Sequence, residues 1–502
     1  MSETTSNSTG QKIIRNAFYG FTSWILPLFL SFFATRLLVK ALGHSEYGIY
    51  TLVTGFLGYS FTFNVGRAVT KYVAEYAAGN EREKIKNIIS ATAFVNLLIG
   101  AAGVLTLILL AEWLVADVLN IEEDARAKTV IALYIAAVSI FFVMCGQVFS
   151  AAVQGLHRFD IYSKIVNLNS FTMLLGNIFL AWSGYGLLSL FVWNLIVTIL
   201  SFLIFFVTAK RLLPEISVFH RFDRNSLRLV FGYSAGVVGY QILSNLLLLF
   251  ERSWITRSLG TESLTFYVVP MTISFQIHYF ITSFILVIFP LASELQNNPE
   301  RLEKLYTKAT KIVLVLVAYI CATLVIQSEM FLTLWLGADF AANSAAVMKV
   351  HVISYSLIAV IGISWQMTEG LGHPNFNCLI FMVCLIFTVP LMIFLGEEYG
   401  NLGVAVGRLA GFAVLFLFIF YIERWFFKKV LTRFWTVISL KLAVAVAAAA
   451  VVEYLVIKFL PGGWVTLAVS VASGGAVYLL VLLSLGLLAE DEKTLLRRLL
   501  KI

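Results

Sequence analysis

Long apolar runs constrain the fold of this chain more than any other feature. Most of the sequence falls into stretches of about 20 apolar residues, the length that spans a hydrocarbon core of about 30 Å as a helix. Of all residues 60% are hydrophobic, and only 13% are charged. Because a helix satisfies its own backbone hydrogen bonds, such runs are stable in lipid. The predicted fold class is therefore an all-α integral membrane protein.

We predict fourteen transmembrane helices, over 14–38, 47–70, 87–113, 129–153, 161–182, 185–208, 229–256, 264–291, 307–332, 345–368, 376–396, 401–423, 436–458 and 464–488. With the N-terminus inside, 27 of the 36 lysines and arginines lie on the cytoplasmic side and 8 lie outside. We therefore expect both termini to be cytoplasmic, in a multi-pass protein of the inner (plasma) membrane. The net charge of +8 reflects this bias and attraction to anionic membrane lipids, not binding of nucleic acid.

The chain also contains an internal repeat. ALGHSEYGIY at 41–50 resembles SLGTESLTFY at 258–267, and AAVQGLHRFDIYSK at 151–164 resembles MTEGLGHPNFNC at 367–378. The Leu-Gly pairs are 217 residues apart and the Gly-Leu pairs are 215 apart. This offset equals six spans, an even number, so both copies enter the membrane from the same side. Parallel repeats of this kind are typical of transporters with a pathway between two halves.

The repeat predicts the domain organisation. It consists of a disordered cytoplasmic tail (1–13), an N-lobe of spans 1–6 (14–208), a basic cytoplasmic linker (209–228), a C-lobe of spans 7–12 (229–423), two additional spans (436–488) and a cytoplasmic tail (489–502). A third repeated block, GNEREKIK and NPERLEKLY, is charged. We expect it to form short amphipathic surface helices with Asn80 and Asn298 as N-caps.

Several classes of function are disfavoured. The predicted loops are short and leave no room for a soluble catalytic domain, and the chain lacks the Gly-Lys dipeptide of a phosphate-binding loop. Its cysteines and histidines show no metal-ligand spacing. We therefore predict a transporter that is not an enzyme and needs no cofactor.

Two motifs resemble a known family. LGHSEYGIYTLVTGFLGY at 42–59, followed by GRAVTKYVAEY at 66–76, resembles the opening of the polysaccharide flippases (the O-antigen flippases and polysaccharide biosynthesis transporters). These belong to the multidrug/oligosaccharidyl-lipid/polysaccharide exporter superfamily. QGLHRFDIYSK at 154–164 is similar to the loop after span 4 in that family. The layout of six plus six plus two spans also resembles its larger members.

The resemblance implies a flippase that moves a polyprenyl-(pyro)phosphate-linked oligosaccharide from the cytoplasmic to the outer leaflet by alternating access of two lobes. Glycan polymerase or glycosyltransferase machinery are the implied protein partners. Protons, sodium and the membrane potential stay open as energy sources. The alternatives are a cation-coupled multidrug exporter, a lipid-linked peptidoglycan precursor flippase, and a membrane-embedded glycan polymerase or ligase. A multidrug exporter would need a buried carboxylate in the first lobe, and within its first two spans residues 16–35 and 47–74 contain no Asp or Glu.

Charged residues at membrane depth are candidate functional residues. Arg36 and Arg252 stand at matching positions before the two Leu-Gly pairs, and arginine binds phosphate oxygens bidentately. They are candidate phosphate ligands, or they snorkel to the interface, and Glu251 is a candidate counter-ion. Arg67 and Asn64 share a polar face of span 2 and are candidate head-group contacts, although Arg67 could also be an interfacial anchor.

Three further residues are candidates for coupling or gating. His278 is the most central polar residue of span 8 and either couples protons or packs through a hydrogen bond. Arg408 lies inside span 12, where we expect an ion pair with Glu397 or Glu398. Glu369 ends span 10, as a gate or as a loop cap.

Overall fold

The computed structural model describes residues 2–59, 66–214, 224–285 and 288–487, with side chains described for 30–59, 69–77, 79–214, 239–282 and 291–487. Within these ranges there are fourteen α-helices and no strand: α1 (Ser2–Tyr59), α2 (Gly66–Ala78), α3 (Arg82–Trp113), α4 (Glu123–Gly155), α5 (Phe159–Trp182), α6 (Gly186–Leu212), α7 (Arg224–Leu259), α8 (Thr261–Ile285), α9 (Ile288–Glu294), α10 (Pro299–Leu336), α11 (Ala338–Gly370), α12 (Pro374–Phe427), α13 (Thr432–Phe459) and α14 (Trp464–Ser484). Among them, ten are long and apolar enough to cross a membrane. This confirms the predicted all-α membrane fold class.

Two of the helices join consecutive predicted spans: α1 covers span 1 and the first part of span 2, and α12 covers spans 11 and 12. α1 breaks at Gly43, where φ is +78°, and α12 breaks at Gly400, where φ is +58°. Both values lie in the left-handed region, which glycine adopts without a steric cost. α1 begins at Ser2, so the polar residues 2–13, which we expected to be disordered, extend the first helix. Residues 2–26 contain no proline, the residue that most strongly interrupts a helix.

The repeated Gly-Leu segments adopt the same turn. α4 ends at Gly155 and α11 ends at Gly370, and each is followed by a leucine C-cap. The next residue is left-handed in both copies, His157 with φ +57° and Gly372 with φ +84°. His157 N–H donates to the carbonyl of Gln154 at 2.9 Å, and the corresponding bond from Gly372 N–H measures 3.0 Å. The two copies of the repeat therefore share backbone geometry as well as sequence.

The charged repeat block begins long helices instead of forming separate ones. Asn298 caps α10, and its side-chain oxygen accepts from the backbone N–H of Arg301 at 3.1 Å, as predicted. The prediction for Asn80 was wrong, because the N-cap of α3 is Glu81. Asn80 itself has φ +55° and belongs to the turn after α2.

The chain forms two compact units, Met1–Thr265 and Phe266–Ile502. In the first unit α3 and α6 pack on α4, α1 packs on α5, and α7 packs against α1, α2 and α3. Its core is built from large apolar side chains, among them Val73, Ile89, Val148 and Phe205. The lobe limits 14–208 and 229–423 stay a prediction, and 215–223, Asn64 and the tail 489–502 lie outside the described residues.

The second unit is built on α11, which packs against α10 and α12. α13 and α14 pack on each other and on α10, around a core that includes Leu442, Ala445 and Tyr478. The two arms of α12 approach so closely that a Cβ at Gly407 would lie 2.6 Å from the backbone nitrogen of Met392. Glycines therefore determine how the hairpin at Gly400 packs.

Candidate functional site

Arg252 is the candidate phosphate ligand with the best-defined environment. It lies on α7, close to the end of that helix, and only 7% of it is exposed. Its Nη1 donates a hydrogen bond to the backbone carbonyl of Thr51 on α1. Its Cζ lies 5.2 Å from the centre of the Tyr59 ring, within the range of a cation–π interaction. The guanidinium therefore lies along α1 in the first unit.

A glycine makes room for this guanidinium. A Cβ at Gly55 would lie 2.8 Å from Cδ of Arg252 and 2.9 Å from its Nη1. Nε of Arg252 is buried and has no hydrogen-bond partner among the described residues. A guanidinium has five N–H donors, and a buried donor without an acceptor is costly. Arg252 can therefore still donate to an anion while it keeps its contact with Thr51.

The two Leu-Gly segments hold this end of α7 in place. Thr265 Oγ1 donates to the carbonyl of His44 at 2.6 Å, and His44 Nδ1 lies 3.3 Å from the Glu262 carboxylate. Gly48 packs directly on the backbone of Thr261, where a Cβ would overlap the carbonyl oxygen. The two repeated segments, 41–50 and 258–267, therefore contact each other.

The other predicted members of the phosphate site lie on α1, α2 and α7 or outside the described residues. Arg36 is half-buried on α1. Glu251 is buried on α7. Glu251 and Arg252 are consecutive on a helix and therefore project in directions about 100° apart. Arg67 lies in α2 but outside the described side chains, and Asn64 lies outside the described residues.

His278 packs among aromatic rings in the second unit. Its Nε2 lies 3.4 Å from Oγ1 of Thr282, one turn along α8. Its ring centre is 5.9 Å from that of Phe275 and 6.3 Å from that of Tyr279. These contacts fit the interpretation of a hydrogen-bonded packing residue, and a role in coupling stays a prediction.

Arg408 packs against aromatic rings and a thioether, and the pairing with Glu397 or Glu398 stays a prediction. Its Cζ lies 5.1 Å from the ring centres of both Tyr355 and Phe412, and its Nη1 lies 3.4 Å from Sδ of Met271. Glu397 and Glu398 are exposed beside the break at Gly400. Because α12 reverses at that break, Arg408 lies about two helical turns below them.

Glu369 forms a local contact at the end of α11. Its Oε1 accepts a hydrogen bond at 3.0 Å from the indole nitrogen of Trp365, four residues earlier. Asn377 on α12 donates to the carbonyl of Trp365 at 3.2 Å and thereby joins the two helices. This geometry fits a residue that closes the turn, and a gating role stays a prediction.

Glu423 is fully buried in α12 and was not among the predicted site residues. Its carboxylate accepts from the Tyr306 hydroxyl at 2.9 Å, from the Trp435 indole at 2.7 Å and from the backbone N–H of Leu431 at 2.8 Å. The three donors come from α10, α13 and the turn before α13. Glu423 therefore ties these segments together, and its position near a span end gave no signal of this.

Glu453 occupies a second buried polar cluster, between α10, α13 and α14. It accepts from Thr323 Oγ1 at 2.7 Å and from Gln327 Nε2 at 3.4 Å. Gln327 also donates to Ser470 at 3.1 Å. Gly474 makes room for Glu453, because a Cβ there would lie 2.5 Å from its Cγ. As the single acidic residue of an apolar span, Glu453 was visible in the sequence, but its partners were not.

Several known proteins are similar to this chain in sequence or in fold. A putative O-antigen transporter of Shigella flexneri is 24% identical over 402 residues, which cover 78% of this chain and 93% of the relative. The lipid II flippase MurJ in an inward closed conformation is similar in fold, with a TM-score of 0.69, 16% identity, and coverage of 93% of this chain and 98% of that structure.

A multidrug resistance MATE family transporter of the MOP superfamily, in an inward-facing conformation, matches with a TM-score of 0.68 and 14% identity. The match covers 80% of this chain and 98% of that structure. At these identities the two structural matches show the fold alone. The family model described as polysaccharide biosynthesis protein matches residues 36–345, more than half of the chain. The chain therefore belongs to the polysaccharide biosynthesis protein family and has the fold of the MOP-superfamily transporters.

Proposed function

We propose that this protein is a flippase that moves a polyprenyl-(pyro)phosphate-linked oligosaccharide from the cytoplasmic to the outer leaflet of the inner membrane. The observation that carries the proposal is the family membership, together with a relative named as a putative O-antigen transporter that matches along nearly its whole length. It acts as a transporter, not as an enzyme, and both termini face the cytoplasm.

The physical problem that such a protein solves is the transfer of a charged sugar phosphate across hydrocarbon. Burial of a polar group without a compensating hydrogen bond costs roughly 2–7 kcal/mol, and burial of a charge costs far more. Arg252 supports the proposal because it is a buried cation whose Nε lacks an acceptor among the described residues. In the proposed mechanism Arg252 and Arg36 bind the phosphate, and Arg67 and Asn64 contact the head group.

The internal repeat supports alternating access, because duplicated lobes can rock against each other around a fixed site. The prenyl tail stays in lipid while the head group crosses. Turnover draws on protons, sodium or the membrane potential, with His278, Glu251, Arg408 and Glu369 as candidate coupling or gating residues. Glycan polymerase or glycosyltransferase machinery supplies or consumes the lipid-linked product.

The test is a head-group accessibility assay in reconstituted vesicles. It follows a lipid-linked oligosaccharide between leaflets for the wild type and for Arg252→Ala, Arg36→Ala and Arg67→Ala at equal folded protein. The control Arg126→Ala removes a partly exposed arginine that donates to the Ile121 carbonyl at 2.8 Å. We expect Arg252→Ala to slow transport about tenfold or more, since a hydrogen bond to a charged group is worth about 1.5–3 kcal/mol.

Each alternative has its own outcome in this assay. Unchanged transport in all three arginine variants would keep the flippase and reject the phosphate site. Transport of lipid-linked peptidoglycan precursor in preference to oligosaccharide would favour the peptidoglycan branch. Absence of lipid transport, with cation-dependent export of a soluble drug, would favour a multidrug exporter. The energy source is identified by imposing a proton gradient, a sodium gradient or a membrane potential one at a time, each with and without an ionophore.

A further inference from the structure

A cationic pocket lies in the second unit, where α10, α13 and the end of α14 meet. Its volume is about 370 Å³, at the lower end of the roughly 300–1,000 Å³ range of small-ligand sites. Three basic and several apolar side chains line it, and no acidic side chain is present among the described lining residues: Lys311, Arg433, Phe434, Val437, Ile438, Lys441, Gly486 and Leu487.

Backbone carbonyls directly after the end of α14 accept hydrogen bonds from two of these cations. Lys441 Nζ donates to the carbonyl of Leu485 at 2.7 Å, and Lys311 Nζ donates to the carbonyl of Leu487 at 3.4 Å. The C-terminal end of a helix carries partial negative charge, so ammonium groups are stabilised there. An ammonium group has three donors, so Lys441 keeps further N–H groups for a ligand after this contact. The exposed Arg433 adds a guanidinium at the mouth.

The remaining wall of the pocket is apolar, and α13 carries exposed apolar side chains beside it. Val437 is 45% exposed on α13, and Leu440 on the same helix is 71% exposed. Ile438 lies inward, in the core shared by α10, α13 and α14. A ligand that fits must therefore present an anionic group to the cations and hydrocarbon to α13. Free phosphate provides only the first of these, and a neutral lipid provides only the second.

We propose that this pocket binds the phosphate diester of an anionic bilayer phospholipid, with an acyl chain along α13. The site takes a structural or regulatory lipid from the surrounding leaflet, and it is separate from the arginines proposed to bind the transported substrate. Basic pockets between transmembrane helices are known to recognise anionic lipid head groups. Lys441 and Arg433 contact the phosphate, and Val437 contacts the glycerol and upper acyl chain.

The test is native mass spectrometry of the full-length protein in neutral detergent, titrated with phosphatidylglycerol, phosphatidylcholine or inorganic phosphate. We expect one high-affinity phosphatidylglycerol site in the wild type. Arg433→Gln with Lys441→Gln should weaken it about 30-fold, on the basis of the usual contribution of two basic residues to anionic lipid binding. The matched control, Arg424→Gln with Lys428→Gln, removes the same charge from exposed residues outside the pocket and should leave affinity unchanged.

A second pair of variants avoids any effect on the capping of α14. Val437→Glu places a carboxylate in the pocket from an exposed position and should abolish the site, whereas Val437→Gln should preserve it. Equal affinity in Val437→Glu and Val437→Gln would overturn the proposal. The proposal would also be overturned if phosphatidylcholine occupied the site equally, or if inorganic phosphate displaced the lipid at equal concentration. A third contrary result would be a preference for a polyprenyl phosphate over phosphatidylglycerol. The last result would assign the pocket to the transported substrate.

Discussion

Oγ of Ser45 lies 2.7 Å from Oγ1 of Thr261, so the two Leu-Gly segments of the internal repeat contact each other. Each segment contains a glycine with positive φ, Gly43 at +78° and Gly260 at +91°. A duplicated sequence therefore supplies both sides of one contact in the first unit. The contact positions the end of α7, close to the arginine proposed to bind phosphate.

Gly48 should be the residue of this contact that tolerates substitution least. A Cβ there would overlap the Thr261 carbonyl oxygen and lie 2.7 Å from the carbonyl carbon, and backbone cannot move away cheaply. We expect Gly48→Ala to lower the melting temperature in detergent by several degrees, as overpacking usually costs about 1–3 kcal/mol. Gly58→Ala in the same helix is the control, because no atom of the described residues lies within 4 Å of its added Cβ. Equal melting temperatures for the two variants would contradict the packing described.

Pro270 and Ser344 should be energetically coupled. Pro270 has no N–H and so cannot donate to the carbonyl of Phe266 one turn earlier, and Ser344 Oγ donates to that carbonyl at 3.0 Å instead. We expect Ser344→Ala to destabilise the protein by about 1–3 kcal/mol. In a Pro270→Ala background a backbone N–H is restored, and the same change should cost less. Melting temperatures of the four proteins of this double-mutant cycle measure the coupling, and additive effects would reject it.

Glu423 should stabilise the second unit through its three donors. In Glu423→Gln the side-chain oxygen can still accept from Tyr306 and Trp435, but an amide nitrogen would then face the N–H of Leu431. Glu423→Ala leaves all three donors without an acceptor, each at a cost of about 1–3 kcal/mol. We therefore expect melting temperatures in the order wild type, Glu423→Gln, Glu423→Ala. Glu398→Ala, which truncates an exposed carboxylate, should match the wild type, and a reversed order would show that Glu423 is not acting as an acceptor.

The sequence was sufficient for the all-α membrane class, because length and apolarity decide which segments can cross lipid. It was insufficient for side-chain partners, because these depend on which helices meet. Glu423 accepts hydrogen bonds from Tyr306 on α10 and from Trp435 on α13. The spacing of residues along the chain cannot reveal that these helices meet. Arg408 packs against Tyr355 on α11, a contact that its position in span 12 does not indicate.

Gly55 offers a test of Arg252 that leaves the charge in the protein. A Cβ at Gly55 would lie 2.8 Å from Cδ of Arg252, so Gly55→Ala should displace the guanidinium from α1 and from the Thr51 carbonyl. If Arg252 binds the transported phosphate, a shift of about 1 Å should reduce transport up to about 100-fold while leaving a folded protein.

Arg252→Lys is the companion variant, because it keeps the charge but loses the planar fork that binds phosphate bidentately. We expect both variants to lose transport in the vesicle assay, with Gly58→Ala as the control in the same helix. Full transport by Gly55→Ala, at equal folded protein, would mean that the position of Arg252 on α1 does not matter for function. Its contacts with Thr51 and Tyr59 would then be structural, and the phosphate would have to bind to other cations of the chain.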